Sequence, residues 1–414
     1  MSTSVLITNI GELSTMDPAR GDEAVMHRAA VVFEGERIAW LGPAVQAPAA
    51  DQAHDAGGRA MLPGWVDSHT HLVFAGDRSA EFAARMAGES YSAGGIAVTM
   101  EATRAAGDYD LTRLLLARRA EAAAGGTTWL ETKTGYGLDV EQETRSARIA
   151  SSVVDDVTFL GAHLVPDGLD ADEYTDLVCG PMLAGVLPYV QWADVFCERG
   201  AFTEAQSRRV LAACRDAGLG LRVHGNQLGP GAGVQLAAEF GAASVDHVNY
   251  LSSQDIKALA GTWSGWDAGA GGGVPGTVAT CLPACDLSTR QPLAPARELL
   301  DAGVEIALAS NCNPGSSYTT SMAFCVATAV LQMKLSITEA LRAATYGGAL
   351  ALRRHTGNDA DGQRAVGSLA VGHRADAQLL NAPSAAYLAY RPGMPLTAAV
   401  WRAGEQITPG RAGT

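Results

Sequence analysis

Eight short apolar runs that alternate with helix-like stretches constrain this chain more than any other feature. The runs are residues 61–66, 127–131, 158–162, 192–197, 220–223, 243–245, 278–282 and 305–309. Segments rich in Ala, Arg and Glu with helical patterning lie among them, at 111–124, 140–153, 204–217, 231–240, 295–302 and 337–344. A βα rhythm repeated eight times predicts an α/β fold, a (β/α)8 TIM barrel. A doubly wound open sheet is the competing arrangement. No G-x-G-x-x-G opens a first helix, which counts against it.

The ends of the chain read differently. Residues 5–10, 30–34 and 38–41 are β-rich pieces separated by turns, and Gly-punctuated β segments recur at 366–377 and 378–381. β segments at opposite ends can pair, which predicts a small β-sandwich built from both termini. The expected domains are therefore 1–60 plus 362–414, and a barrel over 61–361. The Gly-rich stretch 262–275 (T-W-S-G-W-D-A-G-A-G-G-G-V-P) reads as a mobile surface insertion. A cap over a pocket, made by its two Trp, is the alternative.

A length of 414 residues suits one large barrel with a small companion. A formal net charge of −14 argues against a nucleic-acid partner, which requires a basic face. No apolar run approaches the roughly 18 residues that span a bilayer, so no membrane association is expected. The first residues lack a basic leader followed by an apolar stretch. Seven Cys without paired C-x-x-C spacing predict free thiols and a reducing, cytoplasmic setting.

The chemistry is carried by histidine. Of nine His, five (His69, His71, His163, His224 and His247) fall at or just after expected strand ends. In a barrel that is where an active site is built. His69 and His71 are two apart on an extended segment and point the same way, so both imidazoles can reach one metal ion. His224 can supply a third imidazole. His247 can act as a neutral ligand or as a proton shuttle. Three His and one carboxylate leave an open position for water on zinc or iron. The carboxylate should follow the last strand, but the residue there is Asn311.

L-P-G-W-V-D-S-H-T-H-L-V-F-A-G-D-R, E-T-K-T-G-Y-G-L, T-F-L-G-A-H-L-V-P, D-V-F-C-E, V-H-G-N-Q-L, D-H-V-N-Y and N-P-G-S-S occur in that order. Over roughly residues 61–376 the chain resembles the imidazolonepropionase family of the amidohydrolase superfamily. The resemblance implies hydrolytic opening of the lactam ring of 4-imidazolone-5-propanoate to N-formimidoyl-L-glutamate, in histidine degradation. It implies one metal ion, zinc or iron, held by His69, His71 and His224, with Asn311 at the position of a family Asp. It places Arg78 on the substrate's carboxylate, where a guanidinium fork fits bidentately. Tyr136, His163 and Gln227 match substrate-contacting positions. Asn313, Gly315 and Ser316 match a loop that holds substrate or product, and His247 matches a proton-transferring position. Lys133 is expected to be structural rather than a carbamylated bridge between two metals, and the chain is expected to be a homodimer.

Three departures stand out. An Asn at 311 lacks the charge and basicity of Asp, which predicts weaker metal binding and slower turnover. An engineered substitution, natural divergence and catalytic silencing are all compatible with it. The segment 91–96 is a few residues shorter than its family counterpart, and the family mostly lacks the 262–275 insertion. Two functions compete with ring opening: deamination of another carboxylate-bearing cyclic substrate, and binding without turnover.

Overall fold

The computed structural model describes residues 3–88, 95–267, 269, 272–357 and 364–407. Eight parallel strands hydrogen-bond in chain order. They are β1 (Trp65–Asp67), β2 (Thr127–Lys133), β3 (Asp156–Ala162), β4 (Trp192–Cys197), β5 (Gly220–Gly225), β6 (Ser244–His247), β7 (Val278–Cys281) and β8 (Ile306–Leu308). Apart from Gly220, every residue in these strands is buried, as expected of strands covered by helices outside and side chains within. The first and last strands meet just beyond their ends. Asn311 N donates to His69 O at 3.0 Å, and His71 N donates to Cys312 O at 3.1 Å. The Ser310 hydroxyl donates to Asp67 Oδ2 at 2.6 Å, and Ser310 N to Asp67 Oδ1 at 3.0 Å. The result is the TIM-like barrel that the rhythm predicted.

The helices begin where local chemistry favours it. Thr203 and Gln206 form a reciprocal cap on the helix Glu204–Asp216, Ser252 and Asp255 cap Ser253–Thr262, and Ser336 and Glu339 cap Ile337–Arg342. Each arrangement satisfies backbone N–H groups that have no partner within the helix.

The terminal strands form one continuous mixed sheet with its own apolar cluster. Its order is Glu405–Gln406, Thr397–Arg402, Ala377–Leu380, Ala60–Pro63, Ser4–Ser14, Val25–Glu34 and Arg37–Pro43, with Gln52–Asp55 also pairing to Ser4–Ser14. Phe33 and Trp401, on strands that are not neighbours, meet edge-to-face at 6.3 Å, so the sheet curls over this core. The two ends of the chain pair through Ala60–Pro63 and Ala377–Leu380, in antiparallel register with Met61 opposite Leu379.

Two expectations change. The strand expected over 61–66 is two strands, one in each sheet, divided at Gly64. A Cβ at Gly64 would lie 2.2 Å from Thr128 Oγ1, so only glycine lets the chain cross between the sheets at this point. The β segment expected over 366–377 is irregular up to its last residue, apart from one bridge between Arg374 and Arg37, because Gly367 and Gly372 adopt φ of 82° and 90°. The tryptophans of 262–275 pack on the protein's own residues. Trp263 is buried and donates to Thr277 O at 3.1 Å, while Trp266 packs 5.4 Å from the His355 ring. That segment leads from a helix into β7, so it lies at the face of the barrel opposite the strand C-termini. Residues 268, 270 and 271 of that loop, residues 91–94, and the expected boundary between 361 and 362 lie outside the described residues.

Candidate active site

β1, β5 and β6 carry the imidazoles to the C-terminal mouth of the barrel. His69 and His71 follow β1, His224 is in β5 and His247 ends β6. One ring nitrogen from each of His69, His71 and His224 lies within 4.8 Å of the others. All three residues are buried. Burial, and then neighbouring positive groups, hold His69 and His71 well below the usual imidazole pKa. They are therefore neutral, with a lone pair to offer.

The tautomer of His69 has a cause. His69 Nδ1 donates to Asp246 Oδ2 at 2.7 Å, which leaves Nε2 as the free donor atom. His224 Nδ1 lies 3.0 Å from Asp194 Oδ2, a close contact rather than an aligned hydrogen bond. His69 Nε2, His71 Nδ1, His224 Nε2 and Asn311 Oδ1 are buried without a hydrogen-bond partner among the described residues. Buried polar atoms left without a partner are costly unless something binds them, and the three imidazoles among them converge. A divalent cation fits that set, because imidazole nitrogen and an amide oxygen both bind it.

Behind the imidazoles lies a buried ionic layer. Lys133 Nζ is 3.0 Å from Glu131 Oε1 and 3.0 Å from Asp194 Oδ2. Arg222 Nη2 is 3.0 Å from Asp246 Oδ2. The Asp246 and Asp194 carboxyls are held below the usual carboxylate range, since Arg222, Lys133 and the neighbouring imidazoles outweigh the opposing effect of burial. The two carboxylates thus stay charged, Asp246 bonded to His69 and Asp194 in close contact with His224. Lys133 is held between the Glu131 and Asp194 carboxylates.

In front of the imidazoles is a pocket lined by His71, Arg78, Tyr136, His163, Gln227 and His247, and also by Asn311, Asn313 and Ser316. Every expected site residue except His69 and Gly315 lines it. His69 lies behind it, wholly buried. A Cβ on Gly315 would be 2.1 Å from Arg78 Nη1, so Gly315 acts by giving the guanidinium room. His163 Nδ1 lies 2.9 Å from Gly135 O, which fixes Nδ1 as the donor and leaves Nε2 as an acceptor. Burial lowers its pKa to about 4, so it is neutral at physiological pH. Ile96, at the end of the short segment 91–96, also lines the pocket.

The loop after β8 is shaped by its own side chains. Asn313 Oδ1 accepts from Gly315 N at 2.9 Å and from Ser316 N at 3.3 Å. Asn311 Nδ2 donates to Ser316 Oγ at 3.1 Å, which turns Oδ1 the other way. His247 and Asn311 have φ of 85° and 62°. Such backbone, uncommon outside glycine, concentrates where a fold holds a side chain for function.

Sequence reasoning passed over Asp194, Asp246, Arg222 and Glu198. Glu198 accepts backbone N–H bonds from Gln227 and Leu228 and so sets the loop that carries Gln227. The available signal was a charged residue inside or beside an otherwise apolar strand.

The amidohydrolase family matches residues 196–409. An imidazolonepropionase of Arthrobacter sp. (strain FB24) is 77% identical over 401 residues, covering 97% of this chain and 99% of that protein. The chain belongs to the imidazolonepropionase family. The imidazolonepropionase of Paenarthrobacter aurescens (strain TC1) is 74% identical, covering 98% of each chain. That of Micrococcus luteus is 64% identical over 97% of this chain and 99% of its own. Among solved structures, an atrazine chlorohydrolase from Arthrobacter aurescens TC1 complexed with zinc superposes with a TM-score of 0.70 at 18% identity, covering 98% of this chain and 95% of that one. An adenosine deaminase from Xanthomonas campestris with bound zinc gives 0.69 at 18% identity, over 98% and 93%. These two likenesses establish the shared fold. Among the described residues no helix is long and apolar enough to cross a membrane, and all seven Cys are unpaired.

Proposed function

We propose that this chain hydrolyses 4-imidazolone-5-propanoate to N-formimidoyl-L-glutamate, a step of histidine catabolism, as its family does. The observation that carries the reading is one pocket bearing buried neutral imidazoles together with the Arg78 guanidinium. A cyclic amide that carries a carboxylate needs both.

His69, His71 and His224, with Asn311 Oδ1, would hold the zinc or iron ion. When bound, such an ion supplies Lewis-acid polarisation and a water acidic enough to ionise near neutral pH. The chain's residues do the rest. Arg78 takes the propionate and sets the reach of the ring, so that its carbonyl lies at the imidazole end of the pocket. Tyr136 and His163 bound the ring, and His163 Nε2 accepts from a ring N–H. Water oxygen bonds to the carbonyl carbon and the carbon–nitrogen bond breaks. His247 supplies the proton with which the nitrogen leaves. Asn311 cannot accept the water's proton, so that burden also falls on His247. Gln227, Asn313 and Ser316 line the remaining wall. The proposed setting is a homodimer in the cytoplasm, which light scattering and fractionation would test.

The test is the rate of 4-imidazolone-5-propanoate loss above its spontaneous decay, for this chain and for Asn311→Asp, both loaded with metal. Turnover by either supports the reading. Tight binding without turnover by both would make the chain a binding protein, and ammonia release would make it a deaminase.

A further inference from the structure

Arg78 does not meet the pocket as a free side chain. Its Nε donates to Glu81 Oε2 at 2.7 Å and its Nη2 to Glu81 Oε1 at 2.7 Å, a bidentate pair that occupies one edge of the guanidinium. Arg78 has a side-chain exposure of 5%, against 34% for Glu81. Two glycines wall the pair. A Cβ on Gly315 would be 2.1 Å from Nη1 and 2.4 Å from Cζ, and one on Gly95 would be 2.3 Å from Nη2 and 2.3 Å from Glu81 Oε2. The planar group therefore sits in a slot with one edge taken, and Nη1 has no protein partner among the described residues. Glu81 also lies 3.7 Å from Arg85 Nη1, which donates to Gly315 O at 3.0 Å. One carboxylate thereby touches both the arginine that faces the pocket and the arginine that holds the glycine wall.

We propose that Glu81 is a positioning residue for the substrate's carboxylate: by fixing the Nε/Nη2 edge of Arg78, it presents the Nη1 edge to the pocket. An ordinary i,i+3 surface pair would contribute little to stability and nothing to binding. This pair differs because its arginine is buried, bidentate and confined by backbone. Arginine carries several rotatable bonds, and ordering them at the moment of binding weakens a complex; ordering them beforehand avoids that loss. The inference rests on the proposed role of Arg78 as carboxylate anchor. The opposite role for Glu81, a competitor that the substrate must displace, predicts the opposite sign in the same experiment.

The experiment uses calorimetry on the metal-loaded protein with two probes, 3-(imidazol-4-yl)propanoate and its uncharged amide. Glu81→Ala should weaken the propanoate about tenfold, the scale of immobilising one long side chain, and leave the amide unchanged. Glu81→Gln, which keeps one acceptor for Arg78, should fall between. In turnover the larger part of the Glu81→Ala loss should appear in KM. Unchanged or tighter propanoate binding by Glu81→Ala, while Arg78→Ala weakens it, would overturn the positioning role alone. Unchanged propanoate binding by Arg78→Ala would overturn the anchor itself and the inference with it. Equal weakening of both probes by Glu81→Ala would reduce Glu81 to a structural residue.

Discussion

Asp246 Oδ2 accepts the Nδ1 hydrogen of His69 at 2.7 Å, and both side chains are wholly buried. The bond selects the tautomer that leaves Nε2 free, and the carboxylate raises the basicity of that nitrogen. Asp246→Asn would keep the volume but lose the charge, and its amide could present N–H to Nδ1, favouring the wrong tautomer. Metal affinity should fall about 10- to 100-fold, the usual worth of such partners. Metal retained during titration with a chelator measures this. Unchanged retention would mean that Asp246 serves only the buried Arg222 beside it.

Asn311 Oδ1 is buried without a hydrogen-bond partner among the described residues, in the pocket that His71 and His224 also line. A carboxylate there would add charge to the cation site and a base for the water. Asn311→Asp should raise the rate about 10²- to 10⁴-fold, the range of general base catalysis, and slow metal loss. Steady-state kinetics at fixed metal content tests it. A rate no higher than that of the starting protein would show that the water's proton is already handled elsewhere.

Gly315→Ala should act at a distance from the chemistry. The new Cβ would lie within 2.4 Å of Arg78 Cζ, so the guanidinium must move or the loop must shift. KM for the carboxylate-bearing substrate should rise, with the imidazoles undisturbed and metal content unchanged. Loss of metal alongside the rise in KM would show that the loop, rather than Arg78 alone, had been displaced.

The barrel was legible because each strand is a short apolar run and because strand-end histidines agreed with it. His69, His71, His224 and His247 converge as their spacing on strand ends implied. Asp246 was not legible as their support. It faces a residue 177 positions away, and the sequence marks it only as a charge within a buried strand. Glu81 was hidden for the opposite reason: a charged residue on a surface helix is ordinary, and only the slot around Arg78 distinguishes it. Gly64 divides a run that sequence alone reads as continuous, because the obstruction, Thr128, belongs to another strand. Local pattern thus reports elements and donor types, whereas pairing across the fold sets tautomer, charge state and orientation.

His355 gives the fold an acid-sensitive point away from the active site. It packs 5.4 Å from the Trp266 ring and 6.0 Å from that of Tyr346. Burial, and then the positive charge of Arg353, lower its pKa from 6.5 to about 4. The unfolded chain protonates this imidazole near 6.5 and the folded chain near 4, so between these values the unfolded state binds the extra proton. Stability should therefore fall as pH drops from 6.5 through 4 and lose nothing further from this group below that. A shift of this size corresponds to about 3 kcal/mol across the window. His355→Phe keeps a ring of similar shape without the proton site, so its denaturant midpoint should fall less than that of the parent between pH 7 and pH 4. Below pH 4 the two curves should run parallel. Parallel curves across the whole range would show that His355 titrates alike in the folded and unfolded chains, with acid sensitivity arising from other buried groups.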